Sequence, residues 1–569
     1  MTIKSFNLTI DPWLKVIIKD TMQEETVSLI ELFENAGKYQ RLAGEMRAQD
    51  LAVFRFLLAI LTTVYSRTDG NDQPYDWLGD NYQLNGNVDQ DNQFDSHRIM
   101  TDLLGTWKEL YRQGRFTAAV TTYLKQNAKQ LDLFGDTPFY QVSLTDYNHF
   151  VTKDKQITDK KHPGTVAVRQ INRKVSESNN KKALFIPRVT ETKDQIKLDE
   201  LTRWLITYQN YTGVTDKSKV AMPDKYSLSA GWLYQLNPVF VQGADLFQTL
   251  ILNLILINQS QPEYPYTKQR PVWEFVVPAY VEERKKQLQP NNLAELYTTW
   301  SRLLHIEWSD NDQPTIYSAG LPIFSSAGAF IEPMTTWHYK KKDKVHMPAQ
   351  KWLDTMNRSM WRNFGDYVDV EQPNSQSEPG IVKWLRYLKD MQAISPTTKV
   401  TLAGVTLVKD DNSASQMPSA EIADEMKVNA DVLFDEDPIK AQRWPIRIED
   451  MIDLTQTIGD DYWHFANNLA TIRNVPEKAF AGQLTSQFYA GLNQPFNRWL
   501  QSLTNDQDRD AKSNQWKAEL QAYAFRTANQ VVDSSSPRDI SGVTTKTGTV
   551  MNIFTISNQL RRNVFQRMQ

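Results

Sequence analysis

The spacing of apolar residues changes character near residue 440. Before that point the chain mixes element types. LAVFRFLLAILTTVY (Leu51–Tyr65) is apolar on every side of a helical wheel, which predicts a buried helix rather than a surface one. LDELTRWLITYQNY (Leu198–Tyr211) predicts another helix, and Asp102–Gln126 predicts two amphipathic helices broken at Gly114. Phe6–Val16 reads as strand and turn, punctuated by Asp11-Pro12. The apolar run LFQTLILNLILI (Leu246–Ile257) is too short and interrupted for a membrane span, which needs about 20 residues, and predicts a buried helix. Between Trp308 and Trp337, turn residues such as Asn311-Asp312 and Gly320-Leu321-Pro322 separate short strands. Segment 365–440 reads as loop-rich.

Beyond residue 440 the period becomes helical throughout. Met451, Leu454, Ile458, Tyr462, Phe465, Leu469 and Ile472 step by three and four. A second helix runs through Leu484, Phe488, Leu492, Trp499 and Leu503, with Pro495 expected to kink it. Trp516, Leu520, Tyr523 and Val531 carry a third, and Val550, Ile553, Phe554, Leu560 and Val564 a fourth. The expected fold class is α+β: a large mixed N-terminal domain (1–440) followed by a C-terminal four-helix bundle (441–569).

Charge adds a feature that periodicity misses. The formal net charge is −3, yet Lys153–Arg188 holds ten Lys/Arg against three Asp/Glu, and Lys409–Asp437 holds nine acids against two lysines. A near-neutral total built from such zones suits a surface divided between partners, some polyanionic. Within the basic zone, RKVSESNNKKALFIPR (Arg173–Arg188) sets Leu184-Phe185-Ile186 at the end of a positively charged arm. Those apolar residues either fold back into a core or form a hydrophobic tip for a partner.

Catalytic signatures are missing. There is no cysteine, which removes disulfides, cysteine zinc sites, iron–sulfur clusters and thiol nucleophiles, and which fits a reducing cytoplasm. The N-terminus shows no signal-peptide pattern, and a cytoplasmic location without membrane attachment is expected. The seven histidines are scattered without HxH or HExxH spacing, and no GxxxxGK[ST], GxGxxG or GxSxG occurs. Nothing specific in the sequence points to an enzyme, a metal site or a cofactor, although many hydrolases carry no readable local signature.

Several phrases in order resemble one family, the large subunit (CasA) of the type I-E CRISPR surveillance complex, Cascade. They are FNLTIDPWLKV (Phe6–Val16), GDTPFYQV (Gly135–Val142), GWLYQLNPVFVQGADLFQTLILNLI (Gly231–Ile255), RPVWE (Arg270–Glu274) and QLTSQFYAGL (Gln483–Leu492). No phrase is specific alone; their order and spacing hold across nearly the whole chain. The resemblance implies a non-enzymatic subunit that checks a protospacer-adjacent motif (PAM) in double-stranded DNA, largely from the minor groove. Such a subunit helps open the duplex for guide pairing. It docks on the 5′ end of the CRISPR RNA and on the backbone and small subunits of Cascade, and recruits a nuclease–helicase.

The resemblance also assigns residues. The basic arm falls where the family carries a loop that contacts the guide end and PAM. There Lys174, Lys181, Lys182 and Arg188 would meet phosphates, and Phe185 and Ile186 would stack on a base or pack into a neighbouring subunit. Pro187 stands where the family often has a polar residue, so a hydrogen bond from that position is not carried over. The family's glycine-rich minor-groove loop matches TGVTDKSK (Thr212–Lys219), which keeps only Gly213. Here Lys217 and Lys219 would reach phosphates or base edges, and a promiscuous PAM would follow. HYKKKDK (His338–Lys344), with Lys340, Lys341 and Lys342, is the candidate for the family's lysine hairpin. Gln350, beside Lys351, is the candidate wedge that would unstack the base pair next to the PAM. Some family members hold this region with cysteine-bound zinc; without cysteine, packing must hold this hairpin. Two rival readings are a structural RNA-binding subunit of another ribonucleoprotein, without PAM reading, and a hydrolase whose site leaves no local signature.

Overall fold

The helix expected from Leu51 onward is present as Arg47–Tyr65 (α1), buried on all sides. The computed structural model describes residues 5–79, 81–82, 96–158, 164–171, 194–212, 218–261, 264, 267–308, 312–351, 358–370, 375–409 and 418–569. Among these, α1 is the one helix long and apolar enough to cross a membrane, and it lies in the protein interior. Each fully buried Leu, Ile or Phe of α1 contributes roughly 1.5–3 kcal/mol of transfer free energy.

The described chain divides into two compact units. The first comprises Met1–Leu353, Asn374–Leu388 and Leu402–Asp424; the second comprises Asp354–Pro373, Lys389–Thr401 and Glu425–Gln569. In the first, strands Leu14–Ile18 (β1), Glu24–Val27 (β2) and Tyr39–Leu42 (β3) form an antiparallel sheet in the order β2-β1-β3. Trp13, just before β1, is fully buried and donates its indole N–H to the Leu8 carbonyl at 3.0 Å. Helices Ser96–Gln113 (α2) and Ala118–Gln126 (α3) flank Gly114, whose φ of +67° makes the break that the sequence predicts there. Leu198–Tyr211 (α4) is buried from Leu201 to Tyr211, well beyond one face, because it packs on α1.

Two expectations need correcting. The run Leu246–Ile257 is buried, but its helix stops at Leu252 (α5). Asn253 ends it: its side chain accepts from Val241 N–H at 2.9 Å and donates to the Val241 carbonyl at 2.6 Å, bonding with strand Val239–Gln242 (β4) instead of continuing the helix. Segment 365–440 is not loop-rich. It holds helix Gly380–Asp390 (α6) and strands β9 (Lys399–Lys409) and β10 (Pro418–Asn429), with β9 paired between β10 and β4. Between them in sequence with β4 come two antiparallel hairpins, Arg302–Glu307 (β5) with Thr315–Gly320 (β6), and Trp337–Lys340 (β7) with Val345–Pro348 (β8).

One buried ion pair ties these pieces together. Arg55 of α1 and Glu332 are both fully buried and form two parallel hydrogen bonds of 2.8 and 2.7 Å. Glu332 also accepts from the Trp232 indole at 2.5 Å and from Met334 N–H at 2.9 Å, and the Arg55 guanidinium lies 4.2 Å from the Tyr297 ring centroid. Burial disfavours the guanidinium charge, but the Glu332 charge and hydrogen bonds outweigh it and raise the Arg55 pKa.

The second unit contains the four helices expected: Trp444–Arg473 (α7), Glu477–Gln501 (α8), Arg509–Asp533 (α9) and Ile553–Met568 (α10). α8 runs through Pro495 as one continuous helix. Glycines let the helices approach: a Cβ on Gly459 would collide with the Tyr489 hydroxyl, and one on Gly491 with that of Tyr523. Tyr462 stacks on Phe488 at 4.6 Å, and Trp516 donates to the Thr455 hydroxyl at 3.0 Å. Phe554 departs from the expected core pattern. It is 51% exposed, and α10 buries Ile553, Ile556, Leu560 and Val564 instead.

Glu332→Ala strands the Arg55 charge and is expected to cost about 3–5 kcal/mol, whereas the double variant Arg55→Met/Glu332→Leu recovers much of it. Urea midpoints of the first unit's transition test this, and equal losses in both variants would contradict it. In the second unit, burial and then the nearby Asp453 and Asp366 charges push Glu449 up to about 7. The folded chain then holds a proton that the unfolded chain releases near 4.5. That contribution is full below 4.5 and lost as pH rises through about 7. Glu449→Gln should flatten this slope, worth on the order of 1–2 kcal/mol for a partly exposed group, in thermal melts taken across that window.

Candidate nucleic-acid interface

The lysine hairpin forms where HYKKKDK predicts. Trp337 pairs with Pro348, His338 with Met347, Tyr339 with His346 and Lys340 with Val345. The turn Lys341–Lys344 closes it, with Lys344 in the left-handed region at φ +52°. Because side chains alternate along a strand, Trp337, Tyr339, His346 and Pro348 share one face. That face is aromatic: Phe330 lies 5.1 Å from Trp337 and 5.5 Å from His346, and Tyr339 lies 5.1 Å from His346. Burial, then the neighbouring His338 and Lys383, hold the His346 imidazole below the usual histidine range, so it packs as a neutral ring. The hairpin is therefore held by packing, as a chain without cysteine requires. Among the described residues no cluster of histidine and carboxylate side chains could hold a metal.

Lys340, Lys341 and Lys342 are all exposed, with Asp343 the one acid of the turn. Tyr339 is 50% exposed beside them. The sequence reading passed over it, although an aromatic residue heading a run of lysines was visible there and is the signal that would have found it. The hairpin base is fixed from below. Met334 N–H binds Glu332, Trp337 N–H binds the Ser377 carbonyl at 3.0 Å, and Ala349 N–H binds the Thr336 carbonyl at 2.9 Å.

Gln350 is exposed but engaged: its amide donates to the Gln235 carbonyl at 3.0 Å. Gln235 ends the short turn that follows Trp232, so the wedge candidate bonds to the segment that also reaches Glu332. Lys351 is half-buried, and that burial lowers its pKa against the opposing pull of Asp424. Lys219 sits on a different element. Its backbone bridges Gly320 at the end of β6, and its exposed ammonium lies 5.4 Å from the Tyr226 ring. The backbone approaches closely here: a Cβ on Gly320 would collide with Leu228. The structure thus brings Lys340, Lys341 and Lys342 together with Tyr339 and sets Gln350 just past β8. Lys219 belongs to a different element, bridged to the end of β6. Lys174, Lys181, Lys182, Phe185, Ile186, Pro187, Arg188, Gly213 and Lys217 lie outside the described residues.

Comparison with known proteins now decides the family. The sequence model of CRISPR-associated protein Cse1 (CRISPR_cse1) matches residues 7–527. The chain belongs to the Cse1 family. No curated protein sequence matches it. The Cse1 of Thermobifida fusca has the same fold, with a TM-score of 0.77 at 20% identity, the match covering 99% of this chain and 98% of that one. Thermus thermophilus CasA (Cse1) matches at a TM-score of 0.65 and 14% identity, over 99% of both chains. A chain of a structure described as a CRISPR RNA-guided surveillance complex matches at a TM-score of 0.63 and 13% identity, again over 99% of both. At these identities the likeness establishes a common architecture, which in this Cse1 includes a hairpin built on edge-to-face aromatic rings.

Trp337→Ala should speed amide hydrogen exchange across Tyr339–Val345 at least tenfold while leaving the β5–β6 hairpin protected. EDTA should change neither in the unsubstituted chain. A chelator effect on the hairpin would show that packing is not what holds it.

Proposed function

We propose that this Cse1-family chain is the large subunit of an RNA-guided CRISPR surveillance complex of the type I-E Cascade kind. In this reading it senses the PAM in double-stranded DNA, promotes duplex opening for guide pairing and recruits a nuclease–helicase, without catalysing a step itself. The observation that carries the reading is the hairpin: three exposed lysines beside a half-exposed tyrosine on a rigid aromatic base, followed by Gln350. Lysines at such a tip neutralise phosphates and give affinity with salt dependence but no sequence information. Tyr339 offers a ring on which an exposed base can stack, worth about 1–3 kcal/mol.

Gln350 supplies the step that separates strands. Its hydrogen bond to Gln235 is neutral and worth on the order of 1 kcal/mol net, so exchanging it for a position beside the PAM costs little. Unstacking a base step costs a few kcal/mol, which phosphate contacts and guide pairing offset. Lys219, with Gly213 and Lys217 of the same loop, would line the minor groove, and the arm carrying Lys181, Lys182, Phe185, Ile186 and Arg188 would meet the guide 5′ end. The bundle has a surface of the right chemistry for displaced single-stranded DNA and small subunits. On α10, Phe554 and Phe565 are 51% and 58% exposed with exposed Arg561 and Arg562 between them, and no acid occurs from Ile540 to Gln569.

A reconstituted guide complex, with and without this chain, tests the proposal at one fixed near-physiological salt. The two duplex probes carry the same guide-matched target and differ only in the flanking base pairs. Addition of the chain should create a preference between flanks, which Gln350→Ala reduces. Replacing Lys340, Lys341 and Lys342 by alanine should instead weaken both probes alike and flatten the salt dependence by about 0.9 in log–log slope per lost phosphate contact. If the chain raises binding equally on both flanks, it is an electrostatic clamp or scaffold, and PAM reading fails.

A further inference from the structure

The first unit contains a cavity whose chemistry is opposite to that of the hairpin. Its volume is about 870 Å³, within the usual range of ligand sites. It opens between α3, the Asp136–Asp146 segment and the Val272–Pro278 turn. Its walls include Tyr82, Tyr123, Tyr140, Trp273, Phe275 and Trp300. Tyr140 is held at φ +54°, an uncommon backbone conformation for an aromatic residue and one that recurs at functional sites.

Four carboxylates line the cavity, Asp72, Asp136, Asp146 and Glu274, against one guanidinium, Arg67. Arg67 is already spent. It binds Glu274 through two hydrogen bonds of 3.0 and 2.8 Å, donates to the Gln269 carbonyl at 2.8 Å and lies 4.4 Å from the Tyr82 ring centroid. Lys268 and Arg270 add positive charge at this Glu274 end. Among the described lining residues, no further cation accompanies the other three carboxylates. Asp72 caps Ala119 N–H and Asp146 accepts from Ser143, so each keeps further acceptor capacity, and Asp136 is exposed. Such a cavity repels phosphate and attracts cations, and aromatic walls add cation–π attraction. The Arg67 guanidinium over Tyr82 shows that arrangement already in place at one end.

The rim favours a protein over a free ion. Val276 is 71% exposed and Tyr82 42% exposed at the mouth, apolar surface that a small hydrophilic cation would leave wet. We propose that this cavity is a docking site for a partner protein, receiving an arginine or lysine side chain that projects from an apolar segment. The inference does not depend on the DNA-reading role of the hairpin.

Fluorescence anisotropy on the full chain tests it. The probe is a fluorescein-labelled peptide of alanine and leucine with one central arginine; matched peptides carry glutamate or norleucine instead. The arginine peptide should bind at least tenfold more tightly than either. The double variant Asp136→Asn/Asp146→Asn should weaken it three- to tenfold. Val276→Arg, at an exposed position that does not enter the core, should weaken it as well, with melting temperatures unchanged. Equal binding of the three peptides, or indifference to both variants, would overturn the proposal. So would displacement of the peptide by agmatine at a similar concentration, which would make the site one for a small cation, or by a single-stranded oligonucleotide, which would make it one for nucleic acid.

Discussion

Two fully buried charges, Arg55 and Glu332, set the layout of the first unit. Taking both out of water costs several kcal/mol per ion, recovered only where geometry is close and the remaining polar atoms are bonded. Here the guanidinium meets the carboxylate through two parallel bonds, and the same carboxylate takes the Trp232 indole and the Met334 amide. A pair this demanding accepts little displacement. It therefore fixes where α1, the Trp232 turn and the strand-forming segment after Glu332 meet, and the hairpin inherits its position from that point.

The unit then separates its charges by place. Lysines are concentrated on a narrow turn raised on edge-to-face aromatic rings, while carboxylates concentrate in a concave, aromatic-walled cavity. Neither feature is visible in a net charge of −3. Field lines from a convex tip spread into solvent and favour long-range capture of polyanions, whereas a concave site with low-dielectric walls focuses its potential on what enters.

What the sequence disclosed depended on how local the cause was. α1 was legible because apolar residues cover every side of the helix from Leu51 to Tyr65 despite the single charge at Arg55, and the bundle because its period repeats for several turns. α5 was overextended because its stop signal is Asn253 bonding to Val241, a contact made across a turn and not announced by Gly or Pro. β9 and β10 were missed because polar turn residues dominate the segment, although Val400, Leu402, Val405 and Leu407 are buried as strand residues. The hairpin lysines were legible as a charge run. The tether of Gln350 was not, since Gln235 is 115 residues away, and the cavity carboxylates are drawn from three separated stretches of chain, around Asp72, Asp136–Asp146 and Glu274.

A hairpin held by Phe330, Trp337 and His346 in a chain with no cysteine carries a practical consequence. Any thiol introduced by mutagenesis would be unique in all 569 residues. A single cysteine at an exposed turn position such as Asp343 could therefore be alkylated with a fluorophore or spin label without competing attachment. No native thiol would have to be protected from the reagent. The tip proposed to meet DNA is also the place where a reporter of its approach can be fixed by one substitution.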